Sequence, residues 1–141
     1  MDEPLRLIVV DDRVQDIDLL ARTVEALSKD ATVVGTATSG KDALALAETT
    51  SFDVAVVDFR MPGMDGLELA TRLKEHDPTC TVLILTAYDD QQEAIRAHPA
   101  VDHYLEKMAL DSIDDVLRTI AEERSDAPPE KARKGGLFRR R

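Results

Sequence analysis

Residues 54–66 read Val54-Ala55-Val56-Val57-Asp58-Phe59-Arg60-Met61-Pro62-Gly63-Met64-Asp65-Gly66. A continuous run of small and β-branched residues stops at one carboxylate, and a loop with proline and glycine comes next. A continuous run, rather than an alternating one, suits a strand covered on both faces, as in a parallel sheet between helices. In an open α/β sheet, ligands collect beyond the carboxyl ends of the strands, which is where Asp58 would stand.

Reading outward from this stretch, Leu7 to Val10 and Val82 to Leu85 are runs of the same kind. Val33-Val34 with Ala37 is a shorter run, and about Asp102 to Leu105 is a weaker one. Helical spacing fills the gaps. Val14, Ile17, Leu20, Ala21, Val24 and Leu27 share one face. Ala43, Leu44 and Ala47 begin a second stripe; Leu67, Ala70 and Leu73 form a third, closed by Pro78. Ala94, Ile95 and Ala97 lie in a short fourth helix ended by Pro99. Ile113, Val116, Leu117 and Ile120 mark the last, with Asp111 or Ser112 as its cap. Strand and helix alternate five times, which predicts an α/β fold: a doubly wound, five-stranded parallel sheet with helices on both faces.

The bulk numbers agree with one globular unit. The 141 residues are 43% hydrophobic and 33% charged, with a net charge of -10. That charge argues against DNA binding by the body of the domain. Cys80, the single cysteine, reads as a small core thiol. No run of about 18 apolar residues and no basic leader is present, so a cytoplasmic location is expected. Composition shifts near residue 125, giving one domain over 1–124 and a disordered basic tail over 125–141. The tail has six basic and two acidic residues, which leaves the body at -14. Leu137-Phe138 before Arg139-Arg140-Arg141 offers a contact to an anionic membrane or acidic partner, as the alternative to a solubilising end.

The residues at and just beyond the strand ends carry the chemistry. Asp11 and Asp12 come after the first strand, Asp58 after the third, Thr86 after the fourth and Lys107 after the fifth. All five therefore gather at one rim. Two like charges about 4 Å apart cost roughly 4 kcal/mol at an effective dielectric of about 20. A hard cation such as Mg²⁺, together with Lys107, offsets that repulsion. The set suits phosphoryl transfer: Asp58 as nucleophile, lysine and metal neutralising oxygens, and the Thr86 hydroxyl bonding one of them.

Five motifs carry a family resemblance: Val9-Val10-Asp11-Asp12, Val56-Val57-Asp58, Met61-Pro62-Gly63-Met64-Asp65-Gly66, Leu85-Thr86-Ala87 and Tyr104-Leu105-Glu106-Lys107. The chain resembles the receiver domain of two-component response regulators over roughly residues 5 to 124. The resemblance implies the flavodoxin-like strand order 2-1-3-4-5. It implies that Asp58 is phosphorylated by a histidine kinase or histidine phosphotransfer protein. It also implies that Asp11, Asp12, Asp58 and the Arg60 carbonyl hold Mg²⁺, that Thr86 and Lys107 grip the phosphoryl group, and that Thr86 and Tyr104 are the switch pair. Arg60 and Tyr88, two positions beyond Asp58 and Thr86, tune the phosphoryl lifetime by the same resemblance. The expected function is a single-domain response regulator. It signals through the face of the fourth helix, fifth strand and fifth helix, to an unknown downstream protein or a phosphorelay.

Two departures stand out. Met108 stands after Lys107 where the family usually has proline, and Pro99 replaces a small glycine-containing turn. An enzyme reading, a phosphatase of the haloacid-dehalogenase type, needs a second acid two residues after the first, and Arg60 stands there. The chain is therefore expected to be no turnover enzyme, with at most self-phosphorylation and self-dephosphorylation. A constitutive adaptor would have no use for the intact acid set.

Overall fold

A computed structural model describes residues 3–87 and 91–125. Five strands alternate with five α-helices: β1 (Leu5–Val10), α1 (Val14–Leu27), β2 (Ala31–Ala37), α2 (Gly40–Thr49), β3 (Val54–Asp58), α3 (Gly66–His76), β4 (Thr81–Thr86), α4 (Gln92–Ala97), β5 (His103–Glu106) and α5 (Ile113–Ser125). The strands form one parallel sheet in the order β2-β1-β3-β4-β5. The expected fold and strand order are both present.

The continuous apolar runs are explained by what covers them. Successive residues of a strand face opposite sides, so a run with no polar residue needs two apolar layers. In β1, Ile8 and Val10 pack with Ala43, Ala47, Leu69, Leu73 and Ile95 of α2, α3 and α4. Leu5, Leu7 and Val9 pack on the opposite face with Ile17, Val24, Ile113, Leu117 and Ile120 of α1 and α5. Every residue of β3 is buried. Full burial of each such aliphatic side chain is worth about 1.5–3 kcal/mol, so the three central strands hold most of the driving force. Cys80 belongs to this core, and burial pushes its thiol up to about 12.

The outer strands are only half covered. In β2 the pairing with β1 skips from Val33 to Gly35, so Val34 bulges outward and is exposed. The α1 stripe also runs past its cover: Val14 and Leu27, expected on the buried face, are exposed at the helix ends. Neither Asp111 nor Ser112 caps a separate helix, because a 3-10 turn over Lys107–Ser112 feeds straight into α5. Helix α5 continues through Ser125, and the remainder of the expected tail lies outside the described residues. Among the described residues no helix is long and apolar enough to cross a membrane.

At the amino ends of the strands, opposite the acidic rim, one guanidinium ties α5 to the sheet. Arg124 donates to the carbonyls of Thr79 (2.8 Å) and Asp53 (3.2 Å), to the Thr81 hydroxyl (3.1 Å) and to the Asp53 carboxylate (3.3 Å). Arg6 holds the same carboxylate at 3.1 and 3.3 Å. Burial pushes the Asp53 carboxyl up, but its bonds to Arg6 and the charge of Arg124 outweigh that, and the net direction is down. A carboxyl lowered on folding contributes stability above its unfolded value and loses it as pH falls through the folded one. We therefore expect Arg124→Ala to cost roughly 2 kcal/mol at neutral pH. Its deficit should shrink as pH falls below the ordinary aspartate value of 3.8, when Asp53 itself is protonated. Urea unfolding of both proteins between neutral and acid pH checks this; an unchanged deficit at acid pH would rule the charge pairing out.

Candidate functional site

The acidic rim is built from strand ends. Asp11 stands directly after β1, and its backbone N–H donates to the Ala37 carbonyl of β2 at 3.1 Å. Its carboxylate accepts the N–H of Arg13 at 3.0 Å, a local turn that fixes the side chain before α1 begins. Asp58 is the last residue of β3, held in register opposite Leu85 of β4. Asp11 and Asp58 are both buried, and Asp12 is half-buried between them and solvent. Oxygen atoms from the three carboxylates lie within 4.8 Å of one another.

Lys107, the first residue after β5, reaches into this cluster. Its Nζ is 3.1 Å from Asp58 Oδ1 and 3.5 Å from Asp11 Oδ2. Among the described residues, Lys107 thus contacts two of the three clustered carboxylates. Burial raises the Asp58 carboxyl above its ordinary range; Lys107 pulls it back without cancelling the rise, and the charges of Asp11 and Asp12 add to it. The deprotonated cluster is therefore under-neutralised. Its donor set, all oxygen and all carboxylate, fits a hard divalent cation of the Mg²⁺ kind.

The loop after β3 folds back beneath the acid and holds its backbone still. Phe59 donates to the Leu85 carbonyl at 2.8 Å, and Gly66 donates to the Phe59 carbonyl at 2.8 Å. Gly63 has φ 79, the left-handed conformation that glycine adopts without strain. Gly66 is needed for a different reason, the close approach of the chain to itself. A Cβ there would stand 2.7 Å from the Asp58 carbonyl oxygen and 2.9 Å from Phe59 Cα. Asp65 then caps α3 by accepting the N–H of Glu68 at 2.9 Å. Arg60 is exposed, with its guanidinium 5.5 Å from the Phe59 ring centroid.

Thr86 ends β4 at the same rim, buried, and its hydroxyl donates to the Ala87 carbonyl at 2.8 Å. Tyr104 lies on β5, half-buried. Its hydroxyl accepts a bond from Arg96 Nη2 at 2.7 Å, and the Arg96 guanidinium carbon lies 4.8 Å from the ring centroid. Tyr88 lies outside the described residues. The sequence therefore located Asp11, Asp12, Asp58 and Lys107 in one contacting group, and Thr86 at the same rim. It missed Arg96, whose partner is eight residues away across the turn at Pro99 and carries no periodic signal. Met108, where a proline was expected, lies in the first turn of the 3-10 segment and projects into solvent, 87% exposed.

Chemically, the group offers a carboxylate nucleophile on a rigid strand end, two further carboxylates beside it and a lysine in contact. Covalent capture of an electrophilic phosphoryl group is the reaction that uses all of them. Comparison with known proteins identifies relatives of the chain. A model of the response regulator receiver domain matches residues 7–121. The response regulator protein VraR of Staphylococcus aureus is 34% identical over 118 residues, covering 82% of this chain and 56% of VraR. The positive alginate biosynthesis regulatory protein of Pseudomonas aeruginosa is 35% identical over 86 residues, 61% of this chain and 35% of that protein. The chain thus spans between about a third and somewhat over half of these curated relatives. Among solved structures, the receiver domain of the putative response regulator NarL from Mycobacterium tuberculosis superposes with a TM-score of 0.71 at 28% identity, covering 89% of this chain and all of that one. TrrA from Thermotoga maritima, solved in complex with Mg²⁺-BeF, gives 0.71 at 26% identity, covering 82% and 98%.

Proposed function

The chain belongs to the response regulator receiver domain family, and on that premise we propose that Asp58 is its phosphoacceptor. In this reading a histidine kinase or histidine phosphotransfer protein supplies the phosphoryl group. Asp58 Oδ attacks phosphorus, the bond from phosphorus to the donor's histidine nitrogen breaks, and an acyl phosphate forms. The observation that carries the reading is the bridge of Lys107 between Asp58 and Asp11 inside a three-carboxylate cluster. A lysine so placed is already within reach of oxygens attached to Asp58, so no rearrangement is needed to neutralise them.

Asp11, Asp12, Asp58 and the Arg60 carbonyl are the groups that would hold Mg²⁺. When bound, that ion supplies positive charge to the transferring phosphoryl oxygens. The protein's own contribution is positional. The Phe59 and Gly66 backbone bonds fix the nucleophile, and Asp11 is pinned by Arg13. Thr86 would exchange its bond to Ala87 for one to a phosphoryl oxygen. Phosphorylation adds about -1.5 to -2 charge at the end of β3. Thr86 moves toward that charge, Tyr104 turns toward the space beside it, and the face of α4, β5 and α5 takes a second packing for a downstream partner.

Beryllofluoride, which mimics a phosphoryl group on a carboxylate, tests the reading. We expect saturable binding that requires Mg²⁺ and disappears in Asp58→Ala, read by fluorine NMR of the bound ligand. Equal binding by Asp58→Ala would place the acceptor elsewhere.

A further inference from the structure

Helix α4 and strand β5 are joined by two side-chain bonds that form a short ladder. Gln92 Nε2 donates to Glu106 Oε2 at 3.0 Å, and Arg96 Nη2 donates to the Tyr104 hydroxyl at 2.7 Å. Gln92 and Arg96 are one turn apart and share a face of α4; Tyr104 and Glu106 are two apart and share a side of β5. Ile95 between them is fully buried in the core, which fixes the helix on the sheet while Arg96 itself stays at the surface.

The two rungs differ in what they hold. The Gln92 rung joins α4 to the strand end and does not depend on the Tyr104 ring. The Arg96 rung does: its guanidinium both bonds the hydroxyl and lies over the ring, 4.8 Å from the centroid. Both contacts are made to the ring in its present orientation, half-buried against the core. Thr86, meanwhile, spends its hydroxyl on the Ala87 carbonyl.

We propose that Arg96 is a latch that holds the Tyr104 ring in this orientation, that turning the ring toward Thr86 breaks both contacts, and that the latch so sets how much of the domain occupies the switched packing before phosphorylation. Arg96 is a positioning residue: it touches none of the reacting groups and acts through Tyr104. This role depends on Tyr104 being the switch aromatic of the proposed function. One hydrogen bond together with one cation–π contact at an exposed site weights this ring orientation by up to about tenfold. A ligand that requires a minor state binds with an apparent affinity proportional to that state's population. Removing the latch therefore tightens binding of a phosphoryl mimic by the same factor.

The experiment tracks the Tyr104 ring by NMR and titrates beryllofluoride with Mg²⁺ into the parent and three variants. In the parent, saturating ligand shifts the Tyr104 ring resonances. Arg96→Ala moves those resonances part of the way without ligand and binds about tenfold tighter. Tyr104→Phe, which keeps the ring but loses the hydroxyl bond, tightens binding by a smaller factor, and Arg96→Lys restores affinity close to that of the parent. If the parent's ring shifts on binding but Arg96→Ala binds within about twofold of it, the latch is refuted and the switch reading stands. If the parent's ring resonances stay fixed at saturation, Tyr104 is no switch and the latch falls with it. Should Arg96→Ala fold poorly, Tyr104→Phe decides: unchanged affinity in that variant refutes the latch.

Discussion

Asp58→Asn is expected to lose phosphoryl acceptance completely and, without Mg²⁺, to melt above the parent protein. The second effect is the more informative. The substitution keeps the shape of the side chain and removes one of three anions. Asp58 is the one whose burial, with Asp11 and Asp12 beside it, already disfavours its charge. Linkage gives the sign. A carboxyl raised on folding opposes stability at every pH above its unfolded value, and the opposition fades as pH falls and the group is protonated. Removing the charge therefore stabilises at neutral pH, and the gain should diminish toward the ordinary aspartate range near 3.8. The expected rise in Tm is a few degrees, on the scale of about 1 kcal/mol. Adding Mg²⁺ should narrow the gap, since it relieves the same repulsion in the parent. Thermal melts of both proteins with and without Mg²⁺ check this, and a variant that melts lower in both conditions would refute the strained-cluster account.

Lys107→Met should push two properties in opposite directions. The lysine ammonium lies 3.1 Å from Asp58 and 3.5 Å from Asp11, so it competes with any cation for the cluster and is ready for a phosphoryl oxygen. Methionine keeps an apolar stem of similar length and removes the charge. Phosphorylation by a small-molecule donor should slow by about 10²-fold, the usual cost of losing one charge-stabilising group in a phosphoryl-transfer site. Mg²⁺ affinity should rise by roughly fivefold, because one repelling charge has gone from beside the site. General damage to the fold would weaken both properties. Calorimetric titration with Mg²⁺, run beside single-turnover phosphorylation, separates these outcomes; weaker metal binding would contradict the electrostatic assignment of Lys107.

The sequence discloses the acids because each stands at the end of an uninterrupted apolar run, and a buried strand forces its next polar residue out at the sheet rim. That logic places Asp11, Asp12, Asp58 and Thr86 without any knowledge of packing, while Lys107, after a weaker run and Glu106, rests on the family motif. It serves the central strands best. Strand β2 reads poorly because it lies at the edge and bulges at Val34, so its pattern is neither continuous nor cleanly alternating. Helical spacing overreaches at Val14 and Leu27, since periodicity reports which face is apolar and not where the sheet beneath the helix ends. The Arg124–Asp53–Arg6 cluster stayed invisible for a plainer reason. Its partners are 71 and 47 residues apart, and nothing local marks a charged residue that will be half-buried against another. The Arg96–Tyr104 pair is near in sequence but crosses a helix end, a turn and a strand start, where no period connects the two residues.

These features describe a domain whose stability and chemistry pull against each other at one rim. The central strands provide rigid support, and the cluster of charges stored on it is unfavourable until a cation is engaged. The most direct test is to incubate the protein with acetyl phosphate and Mg²⁺ and map the product by mass spectrometry after borohydride trapping of the acyl phosphate. The account predicts one phosphoryl group per chain, on Asp58, formed only when Mg²⁺ is present. An unchanged mass, or a phosphoryl group on another side chain, would contradict it.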